Sequence, residues 1–262
     1  MDFIVCWKQV PETAAVKLNS GTGVLMRAQY QGIANPEDRH ALEMAIQLKA
    51  RHGGTIRVLT MAPENGGEIL RQALAMGADE AYHITDPQLR GSDATVTARV
   101  LAKAIRKLGE SPDRLVMLGR RSSDGATGMV GPALSLLLDL PLLTALGQVV
   151  IDQERVSAEQ WLAGKLRQLA AMLPALLTIT RQANTPRLPN AMQVMKAARK
   201  PLVVWSIADL GLTPANVGHD GSPTRVVRVF YPEKRPKAEI FTGDPEQVVA
   251  ALNTRLGRFL HG

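Results

Sequence analysis

The stretch from Asp113 to Pro141, DRLVMLGRRSSDGATGMVGPALSLLLDLP, limits most sharply what this chain can fold into. A short apolar run, Leu115 to Leu118, stops at Gly119. A polar, glycine-rich turn follows from Ser122 to Gly131, and an apolar helical pattern runs from Pro132 to Leu138. Strand, glycine-rich loop and helix in that order belong to open α/β sheets, where ligands bind beyond the carboxyl ends of the strands. A helix N-terminus offers unpaired N–H groups and the positive end of the helix dipole, both suited to a phosphate. Glycines let the backbone approach such a group, and Ser or Thr hydroxyls add hydrogen bonds. The spacing predicts a nucleotide phosphate near Ser123, Asp124, Gly125, Thr127 and Gly131. An ordinary connection between a buried strand and a buried helix has the same spacing.

The chain before this stretch repeats the alternation. Residues 2 to 8, 55 to 61 and 81 to 85 read as strands. Asn35-Pro36 opens a helix with Glu37 and Asp38 in its first turn, and Gly53-Gly54 end it. Glu64 to Met76 is a second helix closed by Gly77, and Ser92 or Asp93 caps a third that runs to Leu108. Such an alternation predicts an α/β fold with a parallel sheet covered by helices on both faces. After Pro141 the rhythm changes. Val149–Ile151, Gln160–Leu162, Leu166–Met172 and Leu176–Thr180 predict successive strands, an antiparallel extension of the sheet. A basic loop and short helix span 181–201. Ala208–Gly211 reads as a helical turn and Gly218–Pro223 as a flexible joint. Small strands are expected at Val24–Met26 and Val226–Phe230, a charged connector at Pro232–Lys237, and a last helix from Asp244-Pro245 to Leu260. The expected organisation is a nucleotide-binding body over 1–205 and a C-terminal arm over 206–262.

Composition excludes several function classes. One cysteine, Cys6, rules out an intramolecular disulfide and fits a reducing, cytoplasmic setting. The five histidines show no i, i+3 or i, i+4 spacing, so no zinc pattern is present. Neither a nucleophile elbow nor a Walker loop occurs, and no G-x-G-x-x-G follows the first strand. Pro132, Asp139 and Pro141 interrupt the most apolar stretch, which argues against a membrane span. The net charge is +7, but aromatics are 4% and do not interleave with basic residues, which disfavours nucleic acid. The basic segment Arg181–Lys200 reads as partner-facing surface or a solvated face.

Several motifs resemble the β subunit of the electron transfer flavoproteins. They are the opening VCWKQVPET, Ala34-Asn35-Pro36 with Glu43, Ala45 and Leu48, and the run Leu70–Asp79 with its Ala-Met-Gly-Ala-Asp ending. Gly119 through Pro141 is similar to the family's nucleotide loop. Thr185–Pro189 and Met195–Pro201 resemble its partner-recognition loop, and Trp205–Gly211 resembles the branch associated with carnitine metabolism and nitrogen fixation.

That resemblance implies an adenine nucleotide alpha hydrolase-like fold and a non-enzymatic electron carrier. It implies a heterodimer with an α subunit that holds most of an FAD. It also implies electrons received from acyl-CoA or other flavin dehydrogenases, and a quinone-linked or flavoprotein acceptor. This chain would bury AMP, or a second FAD, against Cys6, Lys8, Asn35, Thr60, Met61 and the loop Ser122, Ser123, Asp124, Gly125, Ala126, Thr127, Gly128 and Gly131. Docking would fall to Leu188, Ala191, Met192, Lys196, Arg199 and Lys200. Ala126 and Met129 stand where the family's bifurcating type has an acid and a Gln, and Gln160 and Ala163 where a basic and an acidic residue are usual. A stress-type nucleotide-binding protein or adenylating enzyme of a related α/β fold is the alternative, although its diagnostic glycine loops are missing.

Overall fold

The computed structural model describes residues 1–12, 32–224 and 238–260. The expected strands at 24–26 and 226–230 and the connector at 232–237 lie outside them. The chain divides into two compact units, Met1–Val227 and Arg228–Gly262.

A nine-stranded sheet forms the first unit. Strands β1 (Asp2–Cys6), β4 (Thr55–Met61), β5 (Glu80–Ile84) and β6 (Arg114–Gly119) alternate with helices α1 (Pro36–His52), α2 (Gly67–Met76) and α3 (Ala94–Lys107). Helix α4 (Val130–Leu138) follows β6. Then come β7 (Leu142–Asp152), β8 (Arg155–Leu162), β9 (Lys165–Met172), β10 (Ala175–Ile179), α5 (Ala191–Arg199) and β11 (Val203–Trp205). The sheet order is β11-β5-β4-β1-β6-β10-β7-β8-β9. Pairings from β11 to β7 are parallel, whereas β7–β8 and β8–β9 are antiparallel.

Residue type explains the layers. β1 and β6 are wholly buried and nearly continuous in apolar residues, as strands covered on both faces must be. Phe3, Val5, Ile56 and Val58 pack with Leu42, Leu48, Ile69 and Leu70 of α1 and α2 on one face. Ile4, Leu59, Val116 and Leu118 pack with Val100, Leu101 and Ile105 of α3 and Leu134 of α4 on the other. Each such side chain contributes about 1.5–3 kcal/mol when fully buried. Asp93 caps α3 by accepting the Val96 N–H at 2.9 Å, and Gly77, at φ 134°, ends α2.

Several details differ from the sequence expectation, among them β7 and β8, which start earlier than expected, at Leu142 and Arg155. Strand β10 does not continue the antiparallel run but inserts between β6 and β7, parallel to both, because its five residues are buried on both faces. Gln9–Pro11 (β2) and Gly32–Ala34 (β3) form a small antiparallel pair outside the main sheet. Helix α4 begins two residues early, at Val130, and α2 begins at Gly67 after a 3-10 turn. The joint expected at Gly218–Pro223 is instead a short helix, α6 (Gly218–Gly221). Ser222 Oγ donates to Gly218 O at 2.6 Å and accepts the Asp93 N–H at 2.9 Å, so it ties this turn to α3.

In the second unit, α7 (Pro245–Leu260) starts at Asp244, whose carboxylate accepts the N–H groups of Glu246 and Gln247 at 3.1 Å.

Candidate functional site

The order of the parallel strands reverses between β1 and β6: β4 and β5 lie on one side of β1, and β6 and β10 on the other. Loops leaving the carboxyl ends there diverge to opposite faces and open a crevice. Both the turn after β1 and the loop 120–129 line this point.

Three consecutive-turn residues of α1 grip the segment after β6. Asp38 is buried; its Oδ1 accepts the Gly119 N–H at 2.9 Å and its Oδ2 the Lys8 N–H at 2.8 Å. Glu37 Oε2 accepts the Arg121 N–H at 2.9 Å. Asn35 Oδ1 accepts the Ser123 N–H, and its Nδ2 donates to Arg121 O, both at 3.1 Å. Asn35 holds the cap position of α1 but makes no cap bond, since its amide serves the loop. Burial pushes the Asp38 carboxyl up to about 6, against the pull of the Lys8 N–H, the Asn35 side chain and the Gly119 N–H.

Beyond this grip the loop folds on itself. Lys8 Nζ reaches Asp124 Oδ1 at 2.6 Å and Ser122 Oγ at 3.2 Å. Burial raises the Asp124 carboxyl, but the Lys8 and Ser122 hydrogen bonds outweigh it and leave the group at about 2. Ala126 (φ 52°) and Gly128 (φ 65°) turn the backbone through left-handed geometry. A side chain at Gly131 would put its Cβ 2.8 Å from Thr178 Cγ2, so any larger residue there forces a shift. The N–H groups of Thr127, Gly128, Val130 and Gly131 find no acceptor among the described residues, and Met129 gives α4 no side-chain cap. A cleft of about 250 Å³ opens beside them, lined by Arg120, Arg121, Thr127, Gly128, Thr144 and Thr178. No carboxylate pairs with Arg120 among the described residues.

Lys8, Asn35, Ser122, Ser123, Asp124 and Gly125 thus stand together in one hydrogen-bonded network. Cys6, Thr60 and Met61 lie at the ends of the neighbouring strands β1 and β4, without a hydrogen bond to the loop. The Cys6 thiol is inert: burial, with the nearby Asp38, pushes it up to about 12. Thr60, 1% exposed, carries the single buried side-chain polar atom without a partner among the described residues. Sequence reading missed Glu37 and Asp38 as site residues. Their position after Asn-Pro matches helix-dipole chemistry, which hides any other role.

The predicted docking segment is held by α1 and α2. Glu43, buried on α1, takes Arg187 through Nε at 2.8 Å and a terminal nitrogen at 2.9 Å. Its carboxyl is lowered because the Arg187 hydrogen bonds outweigh burial. His40 Nδ1 lies 3.0 Å from Asn184 O, and Lys200 Nζ donates to Ala78 O at 2.8 Å. Arg187 and Lys200 therefore brace the segment. Leu188 (80% exposed), Met192 and Met195 project outward, beside exposed Ala191, Lys196 and Arg199. Among the described residues, no helix is long and apolar enough to cross a membrane, and no three acids, histidines or cysteines cluster as a metal site.

The sheet reversal and the loop beside it mark the candidate site in an α/β fold, and comparison with known proteins narrows the class. Residues 22–210 match the electron transfer flavoprotein domain family. The electron transfer flavoprotein subunit beta of Thermoanaerobacterium thermosaccharolyticum is 37% identical, covering 98% of each chain. The Caffeyl-CoA reductase-Etf complex subunit CarD of Acetobacterium woodii is 36% identical over 95% of each, and Protein FixA of Bradyrhizobium diazoefficiens is 38% identical over 96% of this chain and 90% of its own. The chain belongs to the electron transfer flavoprotein family, on its β-subunit side and near the FixA branch.

Proposed function

We propose that this chain is the β-type half of a heterodimeric electron carrier and that its loop 122–131 holds an adenine nucleotide. The α-type partner would hold most of a redox-active FAD. Electrons would arrive from acyl-CoA or other flavin dehydrogenases and leave to a quinone-linked or flavoprotein acceptor, in the cytoplasm. The FAD supplies the electron chemistry; this chain contributes binding and docking surfaces, not catalytic groups. The full-length likeness to β subunits, FixA and CarD supports that role over a stress-type or adenylating enzyme.

The observation that carries the nucleotide reading is the set of four N–H groups, on Thr127, Gly128, Val130 and Gly131 at the start of α4, that find no acceptor among the described residues. Backbone donors at a helix start suit a phosphate. Thr127, whose Oγ1 accepts the Met129 N–H, borders the same cleft, as does Arg120, which has no ion-pair partner among the described residues. The Thr60 hydroxyl near the end of β4, without a partner among the described residues, leaves a further hydrogen bond to be made, near Cys6 and Met61. The residues present therefore fit an AMP, or the AMP half of a second FAD. The exposed Leu188, Ala191 and Met192 offer an apolar contact for a dehydrogenase, with Lys196 and Arg199 at its rim.

The test is to co-produce the chain with its α-type subunit, denature the complex and separate the released nucleotides. One FAD with one AMP supports a single-flavin carrier, and two FAD a bifurcating type. FAD without any nucleotide attributable to this chain would overturn the assignment of the loop.

A further inference from the structure

The nucleotide reading uses the loop from Ser122 onward and leaves unexplained why that loop stands where it does. β6 donates its even-numbered N–H groups toward β10, the last from Arg120 to Ile179 O at 3.0 Å. Its odd-numbered N–H groups face β1, but β1 ends at Cys6, and the paired register stops at Val5 and Met117. From Gly119 onward no strand remains to accept them. The acceptors come instead from one turn of α1: Asp38 for Gly119, Glu37 for Arg121 and Asn35 for Ser123. Alternate residues of an extended chain face the same way, so acceptors at 119, 121 and 123 act as a missing neighbour strand would. Asp38 also takes the Lys8 N–H, which ties the turn after β1 to the same point.

We propose that Asn35, Glu37 and Asp38 are positioning residues: they extend β6 as far as Ser123 and so place the loop's N–H groups for a phosphate without touching the nucleotide. This rests on the nucleotide reading of the loop. It reassigns Asn35, whose carbonyl and amino groups are both already engaged by the loop backbone.

Charge and geometry make different demands on the two acids. Glu37 offers one oxygen to one N–H, with its other oxygen 4.0 Å from Arg121 Nε, so an amide can replace it. Asp38 uses both oxygens on two N–H groups, so an amide would set N–H against N–H.

The experiment compares Glu37→Gln, Glu37→Leu and Asp38→Asn in the full chain with its α-type subunit. Two readouts are taken: amide hydrogen exchange over 119–123 and the dissociation constant for AMP. Glu37→Gln is expected to match the parent in both. Glu37→Leu and Asp38→Asn are expected to speed exchange in 119–123 while 114–118 stays protected, and to weaken AMP about tenfold. Weakened AMP with unchanged exchange would mean direct contact and overturn the proposal, as would faster exchange with unchanged AMP affinity. Equal damage from Glu37→Gln and Glu37→Leu would also overturn it, since charge and not geometry would then matter. If the parent binds no adenine nucleotide, the nucleotide reading fails. The exchange pattern still decides whether Glu37 and Asp38 hold 119–123, so the two failures are distinguishable.

Discussion

Two clefts of similar size open at opposite ends of the parallel strands, about 270 Å³ at the amino ends and about 250 Å³ at the carboxyl ends. At the amino ends most charges answer another, the exception among the described residues being Glu110 at the rim. The Met1 ammonium meets Asp113 at 2.9 Å, and Asp2 meets Arg114 at 2.7 Å and Arg57 as well. Arg57 also meets Glu80 at 3.1 Å, and Glu80 accepts the Tyr82 hydroxyl at 2.6 Å. At the carboxyl ends, Arg120, four backbone N–H groups and the Thr60 hydroxyl find no partner among the described residues. Volume does not separate the two; saturation does. A closed network stabilises the fold, whereas leaving polar groups unpaired costs stability unless something else binds them.

The largest effects should divide along that line. Arg114→Met at the amino ends removes a buried partner of Asp2 and should cost about 3 kcal/mol of stability in urea unfolding. Nucleotide retention should stay at the parent level. Gly131→Val at the carboxyl ends would force its Cβ toward Thr178 Cγ2, 2.8 Å away. Overpacking of this kind costs about 1–3 kcal/mol, and here most of the loss should appear as released nucleotide. Equal loss of nucleotide from both variants would erase the distinction between the two ends.

Two carboxylates within the site sharpen it further, because they respond to pH in opposite directions. Asp38 sits above its ordinary range, at about 6. Its ionisation opposes folding above that pH, and its contribution becomes more favourable as pH falls through 6 toward the unfolded value. Asp124 sits at about 2, so its contribution is complete above the unfolded value and is lost as pH falls toward 2. Lys8→Met should raise the Asp124 carboxyl toward its ordinary range and weaken nucleotide binding by a few fold. Titration of the two carbons by NMR checks both signs. An Asp124 titration that ignores Lys8→Met would show that the ion pair is not what holds the loop.

The sheet's parallel half was legible because buried strands such as IVC and LVML and capped helices carry local signals. β10 was not, because its insertion beside β6 is a non-local pairing that its own five residues do not announce. The site was half legible for a similar reason. Glycines and hydroxyls marked the loop, but Glu37 and Asp38 obey the rule for a helix start so well that nothing local separates them from ordinary first-turn acids. Their partners lie more than eighty residues away, at Gly119 and Arg121. Lys200 misled in the other direction. It reads as free basic surface, yet it closes the turn after α2 through Ala78 O.

The proposed docking segment repeats the contrast between engaged and free groups on a smaller scale and with the smallest expected effect. Arg187 and Lys200 are engaged internally, so reversing either charge should lower stability before it alters any partner. Arg199 and Lys196 are exposed at the rim, where charges steer encounter more than they set affinity. Arg199→Glu should slow electron acceptance from the dehydrogenase by a few fold at low ionic strength. The difference should vanish as salt shortens the screening length to about 8 Å at physiological strength. Met192→Asp places a charge in the apolar centre of the same surface, so its defect should persist at all salt concentrations. Stopped-flow kinetics of the two variants across salt separate the cases. A salt-independent Arg199→Glu defect would place that residue inside the contact and not at its edge.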